Sequence, residues 1–254
     1  PTSPNSRPAF STGLTGALGG AAIGAGILAL LFLLNRKVTS AKDLADNYTP
    51  PVLSSIRRTK EESKDPGSFL LNKNSPMETM ENYAKLRMNL LYTLAGKEKH
   101  VVEVTSAISG EGKSTITANL AISCAMSGKK VLLVDGDLRR ACQRDIFYYE
   151  NDLPGLSDVL VGDTKWQDCL LVTDWDTLQI LPAGHLPPNP AELLSIDRMK
   201  DLLDEMQQNY DLVLIDAPPV NIVSDPLVIS AHVAGCLFVA RQDYSDHRDV
   251  RKAL

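Results

Sequence analysis

A short glycine-containing loop between an apolar strand and a helix limits the possible folds of this chain more than any other segment does. The apolar run Val101–Thr105 leads into the segment Ala107-Ile-Ser-Gly-Glu-Gly-Lys-Ser114, and the helical stretch Ser114–Met126 follows at once. This spacing matches the phosphate-binding loop pattern G-x-x-x-x-G-K-[ST], with Ala107 where the first glycine usually stands. The segment therefore predicts a nucleotide site at the carboxyl end of a strand in an α/β sheet.

The loop and the first helical turn supply the predicted nucleotide-binding residues. Backbone N–H groups around Gly110 and Gly112 can wrap phosphates, and the helix N-terminus adds its dipole. Lys113 is expected to reach the β- and γ-phosphates, while the Ser114 hydroxyl binds Mg²⁺. ATP and Mg²⁺ are therefore the predicted cofactors. The predicted binding set is Ser109, Gly110, Glu111, Gly112, Lys113, Ser114 and Thr115.

Three aspartates follow two other apolar runs. One run ends in Asp135-Gly-Asp137-Leu-Arg139, and a later run, Leu212–Ile215, is followed by Asp216. Carboxylates at strand ends face the nucleotide crevice of an open α/β sheet. Within such a set, one carboxylate can bind metal while another accepts a proton. The sequence therefore predicts that the three carboxylates lie near the phosphates.

Apolar runs and helical stretches alternate along the chain. Continuous apolar strands separated by helices are typical of a parallel sheet covered on both faces. Ser75-Pro-Met-Glu78 has the pattern of a capped helix start, so a helix is expected before the first strand. The predicted architecture is an α/β P-loop NTPase fold with a mainly parallel sheet, helices on both faces and one preceding transmembrane helix. The expected strands are Val101–Thr105, Val131–Val134, Leu178–Leu181, Leu212–Ile215 and Cys236–Ala240, and the expected helices include Ser114–Met126, Pro190–Gln208 and Pro226–His232.

The N-terminal part carries a long uncharged run. From Ala9 to Asn35 no residue is charged, a stretch of about 27 residues against the roughly 20 that cross a bilayer. Arg36 and Lys37 follow the run, so the positive-inside rule places the remainder in the cytoplasm. The expected organisation is a proline-rich segment at 1–9, a transmembrane helix at 10–35, a cytoplasmic linker at 36–74 and a P-loop domain at 75–254. Because the chain begins with Pro1, further sequence upstream is expected.

Composition excludes several classes of protein. With 44% hydrophobic and 22% charged residues, the chain is neither wholly disordered nor a multi-span membrane protein. A net charge of -5 argues against a nucleic-acid partner, which needs a basic face. The cysteines are far apart and fit neither a disulfide scaffold nor a zinc site. They are Cys124, Cys142, Cys169 and Cys236.

The phosphate loop and the aspartate segments together resemble the signature of the bacterial tyrosine kinases, which are P-loop kinases attached to polysaccharide co-polymerases. That signature combines a Walker A loop, an Asp-x-Asp-x-Arg element and a Walker B element that ends Asp-x-x-Pro. Here these elements are Ala107–Ser114, Asp135–Arg139 and Asp216–Pro219. The resemblance implies a protein-tyrosine autokinase that transfers the γ-phosphate of ATP to tyrosine.

The same resemblance implies roles for individual residues. Asp137 and Asp216 complete the Mg²⁺ shell with Ser114, directly or through water. Asp135 is expected to activate the tyrosine hydroxyl, although the sequence does not separate its role from that of Asp137. Arg139 is expected to steady phosphate charge or to orient the aspartates. The predicted catalytic residues are Lys113, Asp135, Asp137 and Arg139.

The resemblance also reaches the N-terminus, which is similar to the last span of a Wzz-type co-polymerase. It implies a bacterial inner-membrane protein with a cytoplasmic kinase domain that regulates exopolysaccharide or capsule polymerisation. Implied partners are the polysaccharide polymerase and export machinery and a cognate tyrosine phosphatase. The family's oligomerisation motif Glu-x-x-Arg-x-x-Arg is weakened here to Glu81, Ala84 and Arg87, and a homo-oligomer is still expected. The family's tyrosine-rich tail is absent before Leu254, so a C-terminal truncation is expected.

Two alternatives remain open. A MinD/ParA-type ATPase switch has the same fold, but its signature lysine, five residues before the loop lysine, is replaced here by Ile108. A co-polymerase subunit that binds ATP only to assemble would keep the loop without kinase activity. The three aspartates favour chemistry over mere binding, since assembly alone does not require them.

Overall fold

The computed structural model describes residues 16–26, 36–57, 65–150 and 152–254, which fall into two compact units. The first unit is Pro1–Lys37 and the second is Val38–Leu254. In the first unit, helix α1 covers residues 16–26. Within the described ranges, no helix combines the length and apolar character that a membrane span requires. The transmembrane helix predicted at 10–35 falls partly outside the described residues and stays a prediction.

A six-stranded sheet organises the second unit. Its order is β3-β4-β2-β5-β1-β6, and every neighbouring pair is parallel except β3 and β4. The predicted mainly parallel α/β sheet is therefore confirmed, with one short antiparallel edge strand that the sequence did not indicate. The strands are β1 Val101–Ser106, β2 Val131–Asp135, β3 Leu171–Val172, β4 Leu178–Leu181, β5 Leu212–Asp216 and β6 Gly235–Val239.

Helices cover both faces of the sheet, because successive side chains of each strand point to opposite faces. One buried cluster joins the sheet to α3 and α4, and the other joins it to α6, α7, α8 and α9. The helices are α2 Ala41–Asn47, α3 Met77–Leu94, α4 Lys113–Met126, α5 Gln143–Phe147, α6 Leu156–Val161, α7 Pro190–Leu194, α8 Asp197–Asn209, α9 Asp225–Ser230 and α10 His247–Ala253. Among the described residues there are also two 3₁₀ turns, Pro66–Phe69 and Trp166–Cys169.

The single helix predicted at Pro190–Gln208 is wrong, because the structure divides it into α7 and α8. Ile196 is extended at the break, with φ -73° and ψ 150°. The Ser195 hydroxyl donates a hydrogen bond to the Glu192 carbonyl at 2.7 Å, and serine favours helix ends for this reason. Leu194 and Met199 on either side are fully buried. The break thus lets two short helices each bury an apolar side chain.

The compact unit begins earlier than the boundary predicted at 75. Val38 is 2% exposed, and its backbone pairs with Asp243 and Ser245 at 2.8 and 2.9 Å. Further along, Asn119 of α4 accepts a hydrogen bond from the backbone N–H of Leu71 at 2.7 Å. The described parts of the segment predicted as a linker are therefore packed against the domain. Such long-range backbone contacts have no local pattern from which a sequence predicts them.

Candidate active site

The phosphate loop joins β1 to α4 as the sequence predicts. Gly110 and Gly112 have φ values of 86° and 91°, in the left-handed region that glycine adopts at no steric cost. Gly112 is the N-cap residue of α4, and Lys113 is its first residue. Ser114 and Thr115 follow in the first turn and are half-buried. The loop backbone and the N-terminal end of α4 are thereby placed for phosphate binding.

Lys113 lies between two of the predicted carboxylates. Its Nζ is 3.3 Å from Asp137 Oδ2 and 3.5 Å from Asp216 Oδ1, and 3.1 Å from Ser114 Oγ. Burial opposes the charge of Lys113, but the attraction of Asp216 and Asp137 outweighs it, and the pKa of Lys113 lies above its usual value. The structure therefore brings together the loop lysine, the loop serine and the two carboxylates predicted to bind metal.

Asp135 completes the carboxylate cluster from the end of β2. It lies opposite Asp216 in the register of β2 and β5 and is fully buried. Its two oxygens accept hydrogen bonds from the backbone N–H groups of Asp137 and Gln143, at 3.3 and 3.1 Å. Burial, followed by the charge of Asp216, raises the pKa of Asp135 well above its usual value. Neighbouring buried carboxyls favour protonation in this way because two negative charges repel each other.

The oxygen atoms gathered at the phosphate loop are of the kind that binds a hard divalent cation. Burial raises the pKa of Asp216, although Lys113 lowers it, and Asp216 Oδ1 has no hydrogen-bond partner among the described residues. In the part of the chain that the structure describes, no group of three or more His, Cys, Asp or Glu side chains forms a metal cage. Mg²⁺ does not require one, because it is usually bound by one or two carboxylates together with substrate phosphates. Ser114, Asp137 and Asp216 fit that pattern.

Gln143, the first residue of α5, is a site residue that the sequence reasoning missed. Its Nε2 donates hydrogen bonds to Asp216 Oδ2 at 2.8 Å and to the Ser114 carbonyl at 3.1 Å. The residue is fully buried. A glutamine after an Asp-x-Asp segment carries no sequence signal of this kind, since glutamine is mostly a surface residue. Only the folded chain shows that Gln143 contacts three elements of the site.

Arg139, predicted as a catalytic residue, is directed at a different carboxylate. Its Nε and Nη2 donate to Asp225 Oδ2 and Oδ1 at 2.8 and 2.9 Å. Asp225 is fully buried at the start of α9, while the Arg139 side chain is 42% exposed. The structure therefore does not place the guanidinium on the aspartates at the loop. Asp225 was also missed, and its position before Pro226 indicates only a helix start.

The remaining predicted binding residues contact the segment after β6. The Tyr244 hydroxyl donates to the Ser109 carbonyl at 3.0 Å, and Arg241 Nη1 donates to the Gly110 carbonyl at 2.9 Å. The Ser245 hydroxyl donates to the buried Glu111 carboxylate. That carboxylate also accepts from the Ile108 N–H at 2.8 Å. The Glu111 side chain therefore links the phosphate loop to the segment after β6.

The residues of the weakened oligomerisation motif lie on α3. Arg87 donates to the Ser123 carbonyl at 2.5 Å and to its hydroxyl at 3.2 Å. Glu81 is exposed and Ala84 is half-buried. The one arginine of the motif that this chain keeps is thus bound to α4 of its own chain. Homo-oligomer formation stays a prediction.

The fold and the site define a P-loop nucleotide-binding domain of the AAA class, and residues 99–234 match the AAA domain family. The putative tyrosine-protein kinase CapB of Staphylococcus aureus is 34% identical over 173 residues, which are 68% of this chain and 75% of that protein. Tyrosine-protein kinase YwqD of Bacillus subtilis is 37% identical over 173 residues, 68% of this chain and 73% of that protein. The crystal structure of the chimerical protein CapA2B2 superposes with a TM-score of 0.75 at 32% identity, and the match covers 84% of this chain and 91% of that one.

These relationships assign the family. The chain belongs to the bacterial tyrosine kinases, and it is a protein-tyrosine kinase with a phosphate-binding P-loop. The expectation drawn from the Walker A, Asp-x-Asp-x-Arg and Walker B segments is confirmed at the level of family, fold and enzyme class.

Proposed function

We propose that this kinase phosphorylates tyrosines of its own copies, with ATP as the phosphate donor and Mg²⁺ as the cation. The observation that carries the proposal is Lys113 Nζ, which lies between Asp137 and Asp216 at the end of the phosphate loop. Phosphoryl transfer depends on positioning and on neutralising phosphate charge. The buried ammonium supplies a ligand for phosphate, and the two carboxylates beside it supply ligands for a cation.

Each residue of the cluster has a role in this proposal. Ser114, Asp137 and Asp216 would hold Mg²⁺, which when bound neutralises charge on the phosphate oxygens. Lys113 binds the β- and γ-phosphates. Asp135 would take the proton of the tyrosine hydroxyl in its ionised form, because it lies at the end of β2 directly opposite Asp216.

Arg139 has a different place in this proposal from that expected of it. With both hydrogen bonds given to Asp225, its guanidinium links the segment after β2 to the start of α9. We propose that it orients Asp137 through this segment, because the backbone N–H of Arg139 also lies 3.4 Å from Asp137 Oδ1. It then acts on the cluster without contacting phosphate.

The cellular setting is a further part of the proposal. The uncharged run from Ala9 to Asn35, followed by Arg36 and Lys37, supports a single span in the bacterial inner membrane with the kinase domain in the cytoplasm. The proposed partners are the polysaccharide polymerase and export machinery, a cognate tyrosine phosphatase and further copies of this chain. A carbonate wash of membranes tests the span: the chain is expected in the pellet, and release into the supernatant would contradict it.

Incubating the full chain with radiolabelled Mg-ATP, with and without an added Glu-Tyr copolymer, tests the activity. The copolymer provides acceptor tyrosines, so the test does not depend on acceptor tyrosines within this chain. We expect label on phosphotyrosine, and none with Lys113→Met. ATP hydrolysis without phosphotyrosine would favour the MinD/ParA-type switch. ATP binding without turnover would favour the co-polymerase subunit.

A further inference from the structure

The side chain of Gln143 connects three elements that meet at the phosphate loop. Its Nε2 donates to Asp216 at the end of β5 and to the Ser114 carbonyl in the first turn of α4. Its backbone N–H donates to Asp135 at the end of β2. The residue is fully buried. Movement of Gln143 would therefore alter two carboxylates and the loop helix together.

The orientation of the Gln143 amide is fixed by its partners. A carboxylate and a carbonyl both accept hydrogen bonds and neither donates, so the amide nitrogen must face Asp216 and the Ser114 carbonyl. The amide oxygen, Oε1, then faces away from both, and it is buried with no hydrogen-bond partner among the described residues. An unpaired buried acceptor is unfavourable, because it has lost its hydrogen bonds to water. Such a group in a native protein therefore calls for an explanation, for example a functional role or a bound water or ion.

The same contact determines which oxygen of Asp216 is available. Gln143 binds Oδ2, at 2.8 Å, so Oδ1 is the oxygen turned toward Lys113 at 3.5 Å. Oδ1 is also the oxygen that has no hydrogen-bond partner in the described ranges. The amide oxygen of Gln143 is thus left without a donor, and Asp216 Oδ1 faces only the ammonium of Lys113, at 3.5 Å.

We propose that Gln143 is a positioning residue, which holds Asp216 in the orientation that binds Mg²⁺ with nucleotide. The inference rests on the proposed function, because it assigns the carboxylate that Gln143 holds to the cation. Outer residues that orient metal ligands typically change metal affinity 10- to 100-fold when they are replaced.

Two variants separate this role from a merely structural one. Gln143→Met keeps the length of the side chain and removes both the N–H donors and the oxygen of the amide. Gln143→Glu keeps the shape and places an acceptor against Asp216, where the donor had been. Gln208→Met is the matched control, because Gln208 is exposed on α8 and contacts no residue of the site.

The measurement is the affinity of the full chain for a fluorescent ADP analogue, titrated over a series of Mg²⁺ concentrations. We expect both Gln143 variants to raise the Mg²⁺ concentration for half-maximal tight binding about tenfold or more, and Gln208→Met to leave it unchanged. Affinity for the analogue without Mg²⁺ is expected to change much less. Thermal unfolding without ligand shows whether each variant is folded.

Three outcomes would overturn the proposal. One is an unchanged Mg²⁺ requirement in a folded Gln143 variant. If the melting temperature of that variant were lower, the contact would be structural only. Another is an equal loss of affinity with and without Mg²⁺. The third is wild-type binding that does not depend on Mg²⁺. Because ADP binding involves no tyrosine, failure of the kinase test does not affect this test, and the two proposals fail separately.

Discussion

The guanidinium of Arg139 donates two hydrogen bonds to a single buried carboxylate, that of Asp225, at 2.8 and 2.9 Å. This contact joins the segment after β2 to α9, which follows β5 in the chain. Paired hydrogen bonds between a guanidinium and a carboxylate are stronger and more specific in geometry than single ones. The contact therefore fixes where the segment that contains Asp137 lies.

Replacing Asp225 tests that role. Asp225→Asn is expected to lower the free energy of unfolding by about 1–2 kcal/mol, because a charged hydrogen-bond pair is lost while the partly exposed Arg139 is still solvated. Chemical denaturation measures the change. Arg140→Gln, at the exposed neighbouring position, is the control and should have almost no effect. Equal stability of Asp225→Asn and wild type would show that the contact does not hold the segment.

Lys113 is the residue that the proposed function places on the transferred phosphate. Lys113→Met removes the positive charge between Asp137 and Asp216, and the rate of phosphotyrosine formation is expected to fall about a hundredfold or more. A timed assay with labelled ATP and the Glu-Tyr copolymer measures it. Lys129→Met, at the exposed end of the α4 region, should retain the wild-type rate. A similar rate in the Lys113 variant would refute the assignment of the phosphate loop.

Glu103 makes stability depend on pH. It is fully buried in β1 and accepts a hydrogen bond from the Cys236 thiol at 3.1 Å. Burial raises the pKa of Glu103 from 4.5 to about 7, although the thiol lowers it. The folded state therefore binds a proton that the unfolded state releases between these two values. By linkage, stability is greatest below about pH 4.5 for this group and falls as the pH rises toward 7.

Glu103→Gln removes that pH dependence. The loss attributed to Glu103 between about pH 4.5 and pH 7 is about 3 kcal/mol, from 1.36 kcal/mol for each unit of pKa. The glutamine variant should lose less stability over this interval, and it should exceed wild type most clearly above pH 7. Urea denaturation at a series of pH values provides the comparison. Parallel curves for wild type and Glu103→Gln would exclude Glu103 as the cause.

Asn119 tests whether the segment before α3 is part of the domain. Its side chain accepts from the Leu71 N–H at 2.7 Å and donates to the Phe69 carbonyl at 2.9 Å. Asn119→Leu keeps the branched shape of the side chain and leaves the buried Leu71 N–H without a partner, so a loss of about 1–3 kcal/mol is expected. Limited proteolysis should then cleave near residues 65–74 sooner. Asn209→Leu, at the exposed end of α8, is the control; identical digestion of Asn119→Leu and wild type would mean that Asn119 does not hold the segment.

Local patterns predicted the fold well because their causes are local. A strand of apolar residues followed by a glycine loop and a helix needs no distant partner to be recognised. The five predicted strands agree with β1, β2, β4, β5 and β6 to within one residue at every end. Short elements such as β3 and α6 were missed, since they contain too few residues to show a period. The break between α7 and α8 was missed, because it depends on how Leu194 and Met199 pack.

The residues of the active site also divide into those that local patterns predict and those that they do not. The local pattern was enough to predict the phosphate loop, Lys113 and the aspartates at strand ends, because parallel strands bring their carboxyl ends to one edge of the sheet. The folded structure was needed to show that Gln143 contacts Asp216 and that Arg139 binds Asp225. It was also needed to show that Val38 and Leu71 pack into the domain. Those contacts join side chains that are distant in the chain. Their partners are selected by the direction of each hydrogen bond and by burial, which exist only after the chain has folded.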